Sequence, residues 1–262
     1  MNNLFFWFAP FLSYDVILIM IRIFSLLIYS NILNYININD FYKFFLIYLV
    51  SNLFSPFIFI ENKYHFCTLG FLGIALHQLF IGMLMGIAWK CVTACIFCIG
   101  EIISSQIGLS FSIVLDMKNQ FYSLLISNLL NIFFLFSFFI LNFHLYLVIL
   151  FIKSFSIPFF NSIDIYQNVF LSLINFSNII FLNAVHFSIP VLFLFLILYI
   201  AFMIFNRLDP NTSLFSSFSI FVLLVGIFIL RYFIYNLYFF SSLLINNLLN
   251  YLSILFFKTK LN

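Results

Sequence analysis

VFLSLINFSNIIFLNAVHFSIPVLFLFLILYIAFMIF, residues 169–205, contains no Asp, Glu, Lys or Arg, and the charge-free gap around it extends from Asp164 to Arg207. A helix needs roughly 20 apolar residues to cross a bilayer, so this gap holds a long tilted helix or a hairpin. A second charge-free gap lies between Lys118 and Lys153 and is read in the same way. The whole chain is of this kind. With 66% hydrophobic and 6% charged residues and a mean hydropathy of +1.23, it has too few charges to cover a soluble globule. The expected fold is therefore an all-α, polytopic integral membrane protein in one membrane-embedded domain, residues 1–262. The 44 phenylalanines among 262 residues, with heavy Ile and Asn use, look like a bias toward A- and T-rich codons, so a Phe here carries little information on its own.

Outward from that stretch, the apolar segments run over residues 4–36, 41–60, 66–99, 121–152, 169–205 and 214–257. Arg231 and the pairs Ser241-Ser242 and Asn246-Asn247 interrupt the last, which is expected to break into two helices. Polar loops are read at residues 37–40, 61–63, 156–164 and 207–212. In the last, Asp209 can cap a helix beginning at Pro210, where proline gives up only an unpaired N–H. The start of the chain has neither a basic region nor a small-residue cleavage site after its first apolar run, which is expected to be retained. Lys43, Lys63, Lys118, Lys153 and Arg207 fall in successive loops with little asymmetry, so only Lys258 and Lys260 lean toward the cytoplasm.

The net charge of +3 is scattered, without the clustered basic face that nucleic acid requires. Neither H-E-x-x-H, G-x-S-x-G, a P-loop nor a carboxylate pair on one helix is present, so no catalytic role is expected and no cofactor is implied. Cys91, Cys95 and Cys98 repeat at helical spacing, which fits small buried thiols better than a three-thiolate metal site. His144 and His186 lack a carboxylate within one turn and read as structural rather than as proton relays. Charges inside the apolar runs are costly and need partners. Asp15 and Arg22, seven residues apart, fall on one helical face, and Lys90 beside Trp89 is placed to snorkel.

Function is expected where the chain turns small and polar. On a helix, Glu101, Ser104, Ser105, Gly108, Ser112 and Asp116 form one stripe, which reads either as a lined cavity or as a helix-packing interface. Gly82 and Gly86 form a G-x-x-x-G pair suited to close helix contact. Residues 108–116 (Gly108, Leu109, Ser110, Phe111, Ser112, Ile113, Val114, Leu115 and Asp116) combine backbone freedom, an apolar constriction and hydroxyls able to satisfy non-helical backbone, as a yielding gate would need. Arg22, Glu101, Gln106, Arg207 and Asp209 are the polar positions expected to serve assembly.

Taken in order, Arg22; Gly82 with Gly86; Gly100-Glu101 with residues 106–111; Asn142 with His144; residues 181–184 with Pro190; and Asn206-Arg207 with Pro210 give a sequence that resembles the FliR/SctT family of type III export-apparatus membrane proteins. The resemblance covers nearly the whole chain. Departures are Met117 where the family usually has proline, Phe143 in place of a glycine, and Leu208-Asp209 in place of a small or apolar pair. The resemblance implies a multi-pass inner-membrane subunit of the flagellar basal body, non-enzymatic. Its helical hairpins would join FliP-like and FliQ-like subunits, with an FlhB-like switch nearby, in a helical export-gate assembly displaced toward the periplasm. Unfolded flagellar proteins would pass through it, and residues 108–121 match the family's pore plug. Two other classes compete. A secondary transporter or channel would need intramembrane acid or base pairs and a repeat of discontinuous helices, neither of which the sequence shows, and a respiratory-complex subunit would need a proton path. Glu101, Lys90 and His186 are too widely separated to supply one.

Overall fold

The structure is a computed structural model, and it describes residues 14–30, 39–58, 68–108, 113–115, 122–155, 163–208 and 214–257. Seven α-helices carry almost all of it: α1 (Tyr14–Ser30), α2 (Asp40–Phe54), α3 (Thr68–Ile107), α4 (Leu125–Ile140), α5 (Phe143–Ser154), α6 (Ile163–Leu208) and α7 (Leu214–Phe257). A 3₁₀ turn, Ser55–Phe57, follows α2, and its Pro56 ends the helix by withholding an N–H. Two three-residue strands, β1 (Ile113–Leu115) and β2 (Tyr122–Leu124), pair antiparallel between α3 and α4, with Ile113 opposite Leu124.

Among the described residues, three helices are long and apolar enough to cross a membrane, over Gly70–Ile107, Val169–Leu208 and Ile220–Ser253. A fourth span is possible if α4 and α5, bent by 73° at their junction, are taken together. Burial separates these helices: within an apolar 18-residue stretch of each, 61% of the residues are buried in α3, against 17% in α6 and 22% in α7. α3 is thus a core element. α6 and α7 expose apolar side chains such as Phe193, Met203, Phe228 and Phe239, surface that only lipid or other protein can cover at low cost.

Three sequence expectations require correction. Residues 214–257 form one unbroken helix, because Arg231 is exposed on its surface and interrupts no backbone bond. Ser241 and Ser242 donate to the carbonyls of Tyr238 and Phe239, absorbing their hydroxyls within the helix. The apolar run 121–152 breaks at residues 141–142, where Asn142 adopts φ 55°, a left-handed conformation that Asn tolerates better than most residues. Third, Arg207 and Lys153 lie in the last turns of α6 and α5 rather than in loops, and Lys43 lies in the first turn of α2, paired with Asp40 at 3.0 Å. Pro190, by contrast, is accommodated inside α6. The cap assigned to Asp209 and Pro210 lies outside the described residues, and α7 begins at Leu214.

Packing divides the chain into two compact units. The first comprises residues 1–91, 145–176 and 248–262, and the second residues 92–144 and 177–247, so α3, α6 and α7 each contribute to both.

Candidate functional site

In the first unit, α1 lies against α3 in parallel. A Cβ added at Gly82 would collide with the Ser25 hydroxyl and the Arg22 carbonyl, and one at Gly86 would lie 2.8 Å from the Leu26 carbonyl oxygen and from Tyr29 Cβ. Any larger residue at either glycine would have to push α1 away. This approach buries Arg22 completely. Its Nη1 donates to Ser154 Oγ at 2.5 Å, and its guanidinium carbon lies 3.7 Å from the centre of the Phe155 ring. Ser154 in turn donates to the Phe151 carbonyl at 2.6 Å. Arg22 Nε and Nη2 and, on α3, Gln78 Oε1 are buried without partners. A buried charge held by one neutral hydroxyl and a ring face is expensive. Asp15 is half-buried and forms no ion pair with Arg22.

The second unit holds the C-terminal end of α3 and the hairpin. The helix ends at Ile107, and Gly108 turns the chain with φ 81°, in the left-handed region that favours glycine. The last carbonyls of a helix have no partner within it. One is satisfied from α6: the Tyr199 hydroxyl donates to the Gln106 carbonyl at 3.0 Å. α7 meets the same end at Gly226, where an added Cβ would lie 2.7 Å from Ile107 Cγ2. After the hairpin, α4 meets α3 where Gly100 lies so close to Ser127 that an added Cβ would overlap the Ser127 backbone. Ser104 Oγ, Ser127 Oγ and Asn131 Oδ1 are buried along these two helices with no partner.

The polar stripe expected on one continuous helix does not form. α3 stops before Ser112 and Asp116, and Glu101 and Ser105 are exposed while Ser104 is fully buried. Of residues 108–116, Gly108 is the turn and residues 113–115 form β1; Leu109, Ser110, Phe111, Ser112 and Asp116 lie outside the described residues. Gln106 is partly buried, and Arg207 is exposed on the last turn of α6, where its charge favours the helix C-terminus. Asp209 lies outside the described residues. Cys95 Sγ contacts the Ile180 carbonyl at 3.5 Å, and no cluster of metal-ligating residues forms among the described residues. His186 Nδ1 sits 2.8 Å from the Leu182 carbonyl, and His144 packs beside Phe138 and Phe139 with Nδ1 unpartnered. Sequence reasoning missed Ser154, Ser127, Asn131, Tyr199 and Gly226. The spacing of Ser127 and Asn131, four apart in an apolar run, was the available signal for those two.

The sequence profile of the bacterial export proteins, family 1, matches residues 13–251, which include both glycine contacts, Arg22, the hairpin and the Tyr199 contact. The chain belongs to that family. Among similar curated proteins, the flagellar biosynthetic protein FliR of Buchnera aphidicola subsp. Schizaphis graminum is 36% identical over 243 residues, covering 91% of this chain and 92% of that protein. The protein of the same name from Buchnera aphidicola subsp. Acyrthosiphon pisum is 37% identical, covering 75% of this chain and 76% of its own length. That of Escherichia coli K12 is 30% identical over 60% of each chain. As a member of the bacterial export proteins, this chain combines the apolar helices of a membrane protein with a backbone turn and hairpin between two closely packed helices.

Proposed function

We propose that this chain is the FliR-like membrane subunit of a flagellar type III export gate, sited in the bacterial inner membrane at the flagellar basal body. With FliP-like and FliQ-like subunits it forms the channel that passes unfolded flagellar proteins, next to an FlhB-like switch. The observation that carries the reading is the near full-length match to proteins named flagellar biosynthetic protein FliR. The weakly buried apolar faces of α6 and α7 support it, because a lone copy leaves them uncovered. So does Arg22, whose buried, half-satisfied guanidinium reads as a device for specific packing.

Within this reading, residues 108–116 are the gate. An apolar segment between two helices closes a pore by excluding water and ions, and the turn at Gly108 and the short strand at residues 113–115 yield at lower cost than a packed helix would. The chain passes substrates without transforming them, and the work of transport is done elsewhere in the apparatus.

The test is co-expression with FliP-like and FliQ-like subunits, followed by purification in mild detergent. A stable stoichiometric complex is expected, with the chain degraded or aggregated when expressed alone. A long-lived monodisperse monomer that ignores both partners would overturn the proposal.

A further inference from the structure

Two cavities of the first unit lie along one stripe of α2. The first, about 260 Å³, is walled by Phe24, Leu27 and Ile28 of α1 and by Phe44 and Ile47 of α2, and the charged residues that line it are Asp40 and Lys43. The second, about 200 Å³, opens against Val50 and Phe54 further along α2, and no charged residue lines it. Asp40, Lys43, Ile47, Val50 and Phe54 follow one another at spacings of three and four, which puts them on one face of the helix. Leu27 of α1 lines both cavities. The two are successive parts of one groove beside the α1–α2 contact, charged at the N-terminal end of α2 and apolar beyond it.

The dimensions of this groove suit a lipid. Lys43 and Phe54 are 11 positions apart, about 16 Å of helix, against roughly 15 Å of hydrocarbon in one leaflet of a bilayer. α2 as a whole, at 15 residues, is too short to cross both leaflets. Tyr42 is exposed beside the charged end, as aromatic side chains with a polar tip are at headgroup level, and Leu49 and Leu53 are exposed further along, as side chains facing hydrocarbon are. The charges suit one kind of headgroup. Asp40 Oδ1 and Lys43 Nζ are 3.0 Å apart, so a group that carries an anion and a cation close together can set its anion on Lys43 and its cation on Asp40. A phosphoethanolamine head has that pattern. A phosphoglycerol head lacks the cation, and the quaternary nitrogen of a phosphocholine head has no N–H to donate.

We propose that the α1–α2 groove is a binding site for one phospholipid of the ethanolamine class, with its phosphate on the Lys43 ammonium, its own ammonium on the Asp40 carboxylate and one acyl chain along α2 as far as Phe54. The inference needs only that α1 and α2 lie in a membrane, and it is independent of any role in export. A lipid so bound covers apolar surface that the chain leaves open and holds the short helix α2 at one face of the bilayer.

The experiment uses the full chain, with whatever subunits purify with it, in nanodiscs doped with one photo-crosslinking lipid at a time, the crosslinker sitting at the end of an acyl chain. Phosphatidylethanolamine, phosphatidylglycerol and phosphatidylcholine with identical tails are compared, and adducts are mapped by peptide mass spectrometry. On peptides covering residues 47–54 and 147–151, adducts of the ethanolamine lipid are expected to exceed those of the other two about five-fold, the factor for one interfacial charge. Lys43→Gln and Asp40→Asn should each lower them about five-fold, and both variants should fold as the wild type does because an exposed pair contributes little to stability. Equal labelling by the three lipids would mark ordinary surrounding lipid, no adducts on these peptides would mean that protein fills the groove, and a charge variant that labels like the wild type would remove the headgroup contact. Any one of these results overturns the site.

Discussion

Replacing Gly86 with Ala asks whether the α1–α3 contact depends on the absence of a side chain. The new Cβ would lie 2.8 Å from the Leu26 carbonyl oxygen, 2.8 Å from Tyr29 Cβ and 3.1 Å from the Ser30 nitrogen. Two of these are backbone atoms of α1, so no rotamer change relieves the contact. Ordinary van der Waals contact begins near 3.4 Å, so α1 must retreat by about 0.6 Å, taking the buried Arg22–Ser154 hydrogen bond with it. Overpacking costs typically 1–3 kcal/mol, and a clash with backbone falls in the upper part of that range, about 2–3 kcal/mol, while exchanging Gly for Ala inside a helix returns about 1 kcal/mol. A net loss of about 1–2 kcal/mol is expected for Gly86→Ala. Gly82→Ala should lose more, since its Cβ would meet both the Ser25 hydroxyl and the Arg22 carbonyl. Gly70→Ala is the control on the same helix: nothing lies within 4 Å of its added Cβ, so it should be neutral or slightly stabilising. The assay is the thermal midpoint of the purified protein in one detergent, where the loss corresponds to a drop of roughly 2–8 °C. If Gly82→Ala and Gly86→Ala match Gly70→Ala, the close α1–α3 approach is refuted.

Two further predictions concern buried and terminal charge. Ser154→Ala removes the hydrogen bond to Arg22 and should cost about 1–3 kcal/mol, whereas adding Arg22→Met in the same chain should recover much of that loss, as a thermal-melt double-mutant cycle would show. Arg207→Ala, at an exposed helix end, should change the chain's own stability by no more than about 0.5 kcal/mol, so weakened co-purification with partner subunits would report a contact made only in the assembly.

The class of the fold was legible because lipid imposes a simple rule: backbone must be paired within the segment, so long uncharged runs become helices. The run around residues 169–205 became α6 even across Pro190. What was not legible depended on backbone conformation or on distant partners. Arg231 looked like a break because charge interrupts hydropathy, yet a helix is broken through its backbone, and an arginine on an exposed face leaves that intact. The real break, at Asn142, changes hydropathy little and shows only as a left-handed residue. At the candidate site, Gly108 was readable as a point of backbone freedom, but the continuous helical stripe drawn through it assumed a periodicity that this same glycine ends. Arg22 was readable as a costly charge, while its partner Ser154 lies 132 residues away and carries no local signal. Tyr199 was hidden by composition: one aromatic among many gives no reason to be singled out.

The most direct test of the gate is the ion conductance of the assembled complex in planar bilayers, compared between the wild type and a variant lacking residues 110–115. The account predicts that the variant assembles with its partners, that the wild type is silent, and that the variant conducts small ions because its apolar closure is gone. A variant that assembles normally and stays at the wild-type level of conductance would contradict the account and leave the segment as a packing element between α3 and α4.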